Sequence, residues 1–259
     1  DIRIIVKKNR LISTYNSAMY PTQLYSGDTI GILSPASPQR DEKRLYSGIQ
    51  YLENQGFSVQ LGEYALARYA GYLAGTDAER ASDIMTMFTN PDIKAIVCAR
   101  GGYGTPRLLS LLDYEVIAAN PKIFVGFSDT TALQCALYTY SGLVTFSGAM
   151  ASVDMPEFDP WSEKVFWQAL MSSEPLGNLQ QPTPIQPLFE GKARGRLMGG
   201  NLSMLASLCG TPFAPQWEDC ILVCEDVGEE PYRVDRLFTQ LALSGVFDQI
   251  AGIAFGQFT

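Results

Sequence analysis

Four short segments carry residues whose types and spacing could do chemistry. The first is Gly126-Phe127-Ser128-Asp129-Thr130, between an apolar β-like run and a helical pattern. A hydroxyl on that turn would stand at the carboxyl edge of a sheet, at the positive end of a helix. The geometry resembles a nucleophile elbow with Thr130 in place of the last glycine; the plainer reading is that Ser128 or Asp129 only caps the helix. The second is Arg100-Gly101-Gly102-Tyr103-Gly104, where glycines let backbone N–H groups face an anion or a developing oxyanion. It reads equally as a tight structural turn. The third is Glu225-Asp226-Val227-Gly228-Glu229-Glu230, which offers a cation site, a base or a solvated acidic loop. Glu225 differs from its neighbours because it abuts Leu222-Val223-Cys224, where partial burial would raise its pKa. The fourth is Met198-Gly199-Gly200-Asn201-Leu202-Ser203, whose Asn201 either caps a helix or binds a polar substrate.

Composition limits these options. The chain has 259 residues and 0 histidines, so a Ser-His-Asp triad, a Cys-His dyad and His-ligated zinc cannot be built from these residues alone. A net charge of −8 argues against binding that rests on phosphate neutralisation. A hydrophobic share of 46% argues for a packed core and against wholesale disorder. The cysteines Cys98, Cys135, Cys209, Cys220 and Cys224 are odd in number and lie mostly in apolar runs, which indicates buried, reduced thiols and a cytoplasmic setting. No metal or other cofactor is expected. There is no apolar run of membrane-spanning length, and Arg3, Lys7, Lys8 and Arg10 lead into no apolar signal segment.

The elements that must position these residues follow from periodicity. Apolar strands are expected at Thr29 to Pro35, Phe57 to Gly62, Ile93 to Ala99 and Lys122 to Gly126. Helices are expected at Asp41 to Gln55, Asp77 to Phe88 (capped by Thr76), Pro106 to Leu112 and Thr130 to Tyr140. Buried strands alternating with helices imply a parallel sheet covered on both faces. After Gly148 a helix at Ser162 to Met171 and a proline-bearing linker at Gly177 to Pro187 come first. Then follow a strand at Gly191 to Leu197, a turn at Gly199-Gly200 and a helix at Asn201 to Leu208. The chain closes with a strand at Cys220 to Cys224, an amphipathic helix at Tyr232 to Leu243 and a strand at Ile250 to Phe255. The division expected is an extension at 1–26, an α/β domain at 27–150, a linker region at 151–190 and an incomplete C-terminal domain at 191–259.

In order along the chain, these segments resemble the LD-carboxypeptidase family of serine peptidases. The match is carried by Gly27-Asp28-Thr29-Ile30-Gly31, Ala99 to Gly104, Pro121-Lys122, Gly126 to Thr131 and Gly199 to Ser203. It continues through Glu225-Asp226, Glu229, Pro231 to Arg236 and Gly252 to Gly256. The resemblance implies an α/β class protein: a Rossmann-like parallel-sheet N-terminal domain and a smaller strand-rich C-terminal domain, with the site between them. It implies a metal-free Ser-His-Glu triad, with Ser128 as nucleophile and Glu225 orienting the histidine. Backbone N–H groups of Gly102 and Asp129 would form the oxyanion hole, and Gly101, Tyr103, Asn201 and Arg236 would contact substrate. The implied substrate is a muropeptide ending in D-alanine, cut at its L,D-bond during cell-wall recycling in the cytoplasm by a homodimer.

Two departures follow. The family's catalytic histidine lies a few dozen residues past the final Phe-Gly, beyond Thr259, and Ser147 stands where the family often has a non-triad histidine. The reading is a serine carboxypeptidase whose natural chain continues past Thr259. A shortened inactive product and a muropeptide- or acyl-peptide-binding homologue are the alternatives, and a microcin-type immunity peptidase is a variant of the activity. A nucleotide-binding module rests on the Gly-rich turn alone, without a P-loop lysine. Lys122, at the far end of its strand from Ser128, is badly placed to act as the base. These residues by themselves are expected to catalyse poorly.

Overall fold

The computed structural model describes residues 18–179 and 184–259. Residues 1–17 of the extension expected at 1–26, and residues 180–183 of the expected linker, lie outside these. The first sheet is parallel throughout, in the order β2-β1-β3-β4-β5, with β1 Thr29–Leu33, β2 Ser58–Leu61, β3 Ile93–Cys98, β4 Ile123–Gly126 and β5 Phe146–Ser147. Alternate residues feed two cores, as the period of a strand requires. Ile30, Ile32, Ala95, Val97, Ile123 and Val125 pack on α1 (Glu42–Asn54) and α5 (Pro160–Met171). Ile96, Cys98 and Phe124 pack on α2 (Asp77–Thr89), α3 (Tyr114–Ala119) and α4 (Thr131–Ser141). Helices therefore cover both faces, the Rossmann-like arrangement expected.

The second sheet is smaller, also parallel, in the order β6-β7-β8: β6 Arg196–Asn201, β7 Cys220–Asp226 and β8 Gly252–Phe258. Burial alternates along β7, so Cys220, Leu222 and Cys224 point into the core with α6 (Leu202–Leu208) and α7 (Pro231–Leu243). Val234, Leu237, Phe238 and Leu241 form the apolar stripe of α7 against that core. The same hydrophobic cluster runs from α2 and α4 through α6 to β7, so the two sheets share one core rather than enclosing two. Residues 18–26 are tied down: the Met19 N–H donates to the Gly142 carbonyl at 2.8 Å, and Leu24 is buried against α5.

Three local expectations are corrected. Pro106 to Leu112 is two separate 3₁₀ turns, Thr105–Arg107 and Leu109–Leu111, and the α-helix comes after them as α3, capped by Asp113. Gly199-Gly200 is not a turn but the middle of β6, which begins at Arg196 rather than Gly191. Both glycines have positive φ, and a Cβ on Gly199 would lie 1.9 Å from the Val223 carbonyl. They are therefore glycines of close approach within a strand. The cysteines are free; Cys209 is half-buried and the other four are buried.

One clasp gives the fold a pH signature. Asp83 of α2 is 6% exposed and accepts from the Tyr64 N–H at 3.0 Å, which fixes α2 to the segment after β2. Burial pushes its pKa up to about 6. A carboxyl raised in the folded state binds its proton there before the unfolded chain does, so its contribution to stability falls as pH rises from about 4 to about 6. Urea denaturation of wild type and Asp83→Asn should show a stability difference that moves in favour of the variant across that window. A pH-independent difference would contradict the burial of this charge.

Candidate active site

Ser128 sits in the left-handed region at φ +64°, which is costly for a residue with a side chain. The strain comes from the turn between β4 and α4: Phe127 is extended, Ser128 to Thr130 form one 3₁₀ turn, and α4 starts at Thr131. Neither Ser128 nor Asp129 caps that helix with its side chain. A Cβ on Gly101 would lie 3.0 Å from the Ser128 Cβ and 3.2 Å from its Oγ. Gly101 is therefore the floor on which the serine rests, and any side chain there would crowd the hydroxyl.

The Asp129 side chain turns away from its own helix and into the loop after β3. Its Oδ2 accepts from the Thr105 N–H at 2.8 Å and its Oδ1 from the Gly104 N–H at 3.3 Å, while its carbonyl accepts from the Thr105 hydroxyl. Asp129 is 2% exposed. Burial raises its pKa, and these hydrogen bonds together with the Arg80 charge oppose the rise. Arg80, 1% exposed, holds the same loop from beneath: it donates to the carbonyls of Gly104 at 3.0 Å, Pro35 at 2.6 Å and Gly75 at 3.3 Å. The Tyr103 N–H goes to Ser37 Oγ at 3.1 Å. The N–H groups of Tyr103, Gly104 and Thr105 are thus committed, and those of Gly102 and Asp129 have no acceptor among the described residues.

The C-terminal sheet reaches this edge through β6. The Asn201 N–H donates to Thr131 Oγ1 at 3.1 Å, three residues after Ser128. A Cβ on Gly200 would strike the same threonine at 2.6 Å. In the parallel ladder Asn201 stands opposite Glu225, so Glu225 is one strand spacing, about 5 Å, from a residue that touches α4. Glu225 lines a cleft of about 1820 Å³ with Phe127, Ser147, Gly148, Gly200 and Val223, and its Oε1 is buried with no hydrogen-bond partner among the described residues. Ser128 itself lies outside that lining; its neighbour Phe127 supplies the wall. Burial, then the Asp226 charge, hold the Glu225 carboxyl above the usual carboxylate range.

The acidic run is pulled apart by the strand's alternation. Asp226 points the other way, is 4% exposed, and accepts from Asn201 Nδ2 at 2.8 Å, the Ser203 N–H at 3.0 Å and the Ser203 hydroxyl at 2.7 Å. Glu229 pairs with Arg233 at 3.7 Å, and Glu230 precedes α7. Among the described residues no three His, Cys, Asp or Glu side chains stand close enough to hold a metal ion. Asn201, expected as a substrate contact, also caps α6 by accepting from the Met204 N–H at 3.2 Å, so both ends of its amide are engaged. Tyr103 is exposed beside Tyr72, with ring centroids 5.7 Å apart. Arg236 is away from the cleft lining, exposed on α7 with its guanidinium 5.5 Å above the Tyr232 ring. Arg80 was not singled out in the sequence, because nothing in a helical pattern marks a buried arginine.

Comparison with known proteins settles the family. The sequence model for the LD-carboxypeptidase N-terminal domain matches residues 30–148, and that for the LD-carboxypeptidase C-terminal domain matches residues 194–259. The chain belongs to the LD-carboxypeptidase family. It is 42% identical over 235 residues to the "Probable murein peptide carboxypeptidase" of Bacillus subtilis, covering 90% of this chain and 73% of that protein. It is 31% identical over 261 residues to the microcin C7 self-immunity protein of Escherichia coli, covering 89% and 76%. Among solved structures, the muramoyltetrapeptide carboxypeptidase from Oxalobacter formigenes superposes with a TM-score of 0.76 at 34% identity, covering 89% of this chain and 78% of that one. The apo microcin C7 self-immunity protein gives 0.83 at 31%, covering 93% and 80%. The likeness spans both sheets, so it includes the junction at Thr131 and Asn201. Among the described residues, no helix is long and apolar enough to cross a membrane.

The tie between Asp129 and the glycine loop has a measurable weight. Asp129→Asn replaces one acceptor oxygen with an NH₂ group that faces an N–H. The expected loss is about 2 kcal/mol of stability by urea denaturation, the scale of a buried hydrogen bond to a charged group. An unchanged midpoint would show that the loop holds its shape without the carboxylate.

Proposed function

We propose that this protein is a serine carboxypeptidase that releases the terminal D-alanine from muropeptides, with Ser128 as the nucleophile. The observation that carries the proposal is the strained Ser128 backbone on the Gly101 floor, beside two N–H groups without acceptors. In this reading Ser128 Oγ attacks the carbonyl carbon of the L,D-bond. The N–H groups of Gly102 and Asp129 receive the charge that develops on the carbonyl oxygen, which is where preorganised donors contribute most. Collapse of the tetrahedral species expels D-alanine as the amine and leaves an ester on Ser128, which water then hydrolyses.

The proton from Ser128 needs a base, and the unpartnered Glu225 Oε1 supports an imidazole held between the two. The 259 residues contain 0 histidines, so that imidazole is assigned to sequence outside them. Burial and the Asp226 charge raise the Glu225 pKa, and an imidazolium beside it would lower it again, so in this reading the carboxylate orients the imidazole and gains its charge from that pairing. Gly101 and Tyr103 are assigned to the substrate side of the loop, and Asn201 is assigned to holding Glu225 and Asp226 in register. Arg236 requires substrate to extend along α7. A cytoplasmic homodimer remains the expected setting.

The direct test is release of D-alanine from a tetrapeptide muropeptide by the full-length protein. Ser128→Ala should lower kcat/KM by at least about 10³-fold while the peptide still binds. Hydrolysis that survives this substitution would refute a serine mechanism at this site. Binding without Ser128-dependent turnover in the full-length protein would identify a non-catalytic homologue.

A further inference from the structure

The arginines of this acidic protein differ in their partners. Arg44, Arg80, Arg107 and Arg233 each stand in an ion pair with a carboxylate. Arg40, Arg68 and Arg100 have no carboxylate within 4.0 Å among the described residues, although the sequence supplies 27 acidic side chains. These three gather round one loop, whereas Arg194, Arg196 and Arg236, also without an ion pair among the described residues, belong to the C-terminal part of the chain. Arg68 donates to the Gln39 carbonyl at 2.7 Å and Arg100 to the Pro38 carbonyl at 3.2 Å, while Arg40 is the next residue along. Arg100 also donates to the Gly101 carbonyl at 3.3 Å, so its guanidinium is held between the segments that follow β1 and β3.

The place matters. The strand order β2-β1-β3-β4-β5 reverses direction between β1 and β3, and the crevice at the carboxyl ends of such a pair is where open α/β sheets bind ligands. Arg100 follows the end of β3 at that crevice, Arg40 is close enough for its charge to act on it, and Gly101, next to Arg100, is the residue on which Ser128 rests. Arg100 is half-buried, and its only charged neighbour of consequence is Arg40, which repels it. A half-buried guanidinium without a counter-ion is costly. It has five N–H donors, and the two main-chain carbonyls occupy only two of them. The arrangement is that of a site awaiting an anion.

A carboxypeptidase must tell a chain end from a chain interior. The terminal carboxylate is the only group that marks the end, and it lies about one residue, roughly 4 Å, beyond the scissile carbonyl. We propose that Arg100, assisted by Arg40, binds the substrate's C-terminal carboxylate and so restricts cleavage at Ser128 to the last residue. The planar fork of a guanidinium matches a carboxylate in two-point contact, which a lysine cannot reproduce. This assignment rests on the carboxypeptidase reading above and adds to it the group that selects exopeptidase action.

The test compares two ligands on full-length protein carrying Ser128→Ala, so that neither is consumed. One is the peptide L-Ala-γ-D-Glu-L-Lys-D-Ala with a free carboxylate, and the other is the same peptide as its C-terminal amide. Calorimetry at low salt should show the acid binding roughly 10- to 100-fold tighter, the range of charge-assisted hydrogen bonds. Arg100→Met should reduce the acid to the affinity of the amide and leave the amide unchanged, with Arg100→Lys intermediate. Arg40→Met, an exposed change that leaves the fold alone, should cut the preference several-fold and keeps the test decisive if Arg100→Met does not fold. Equal binding of acid and amide to the parent protein overturns the assignment and leaves the peptidase reading standing. So does an acid preference that survives both Arg40→Met and Arg100→Met. Failure of both peptides to bind overturns the assignment and the muropeptide reading together.

Discussion

The Asp129 carboxylate joins two loops that leave the sheet from different strands. One end of the tie is the turn after β4 that forces Ser128 into a left-handed backbone; the other is the N–H pair of Gly104 and Thr105 after β3. Neither loop would hold its shape alone. A glycine-rich segment loses more conformational freedom on ordering than any other, and a strained serine persists only when its surroundings over-determine it. Buried from water and satisfied by directed donors, the carboxylate provides that determination. Arg80 closes the arrangement from below by holding the Gly104, Pro35 and Gly75 carbonyls, so one buried side chain ties together the loops after β1 and β3 and the segment before α2. What is left over are the N–H groups of Gly102 and Asp129, which have no acceptor among the described residues.

The C-terminal sheet repeats the device with a different carboxylate. Asp226 binds Asn201 and Ser203, which fixes the end of β6 to the end of β7 and starts α6. Strand alternation then leaves its neighbour Glu225 on the opposite face, against the cleft and with its Oε1 unpartnered among the described residues. Two adjacent acidic residues thus acquire opposite fates, one structural and one available, because a strand points successive side chains to opposite sides. The contact of Asn201 with Thr131 carries this geometry to α4, the helix that follows Ser128, across a core shared by both sheets.

Much of the frame was legible in the chain. Continuous apolar runs such as Ile93 to Ala99 announce strands buried on both faces, and Thr76 announces the cap at the start of α2, which the structure completes as a capping box with Glu79. The misreadings have identifiable causes. Gly199-Gly200 looks like a turn because paired glycines punctuate sequence, but close approach of β6 to Val223 and Thr131 requires the same residue type. Pro106 to Leu112 looks helical because its leucines are spaced like a helix face, yet the segment forms only the 3₁₀ turns Thr105–Arg107 and Leu109–Leu111, and the α-helix begins after the Asp113 cap.

The sequence by itself determined the fold class, the family and the residue types at the turn after β4, because these rest on local periodicity and on the order of motifs. It also determined the composition fact that none of the 259 residues is a histidine. Only the tertiary structure decided which of several adjacent carboxylates is free, which amide hydrogens lack an acceptor, and which arginines have no counter-ion. Those properties belong to contacts between segments far apart in the chain, such as 104 with 129, 131 with 201 and 38 with 100, and a buried polar group has its role set by its partners rather than by its neighbours in sequence.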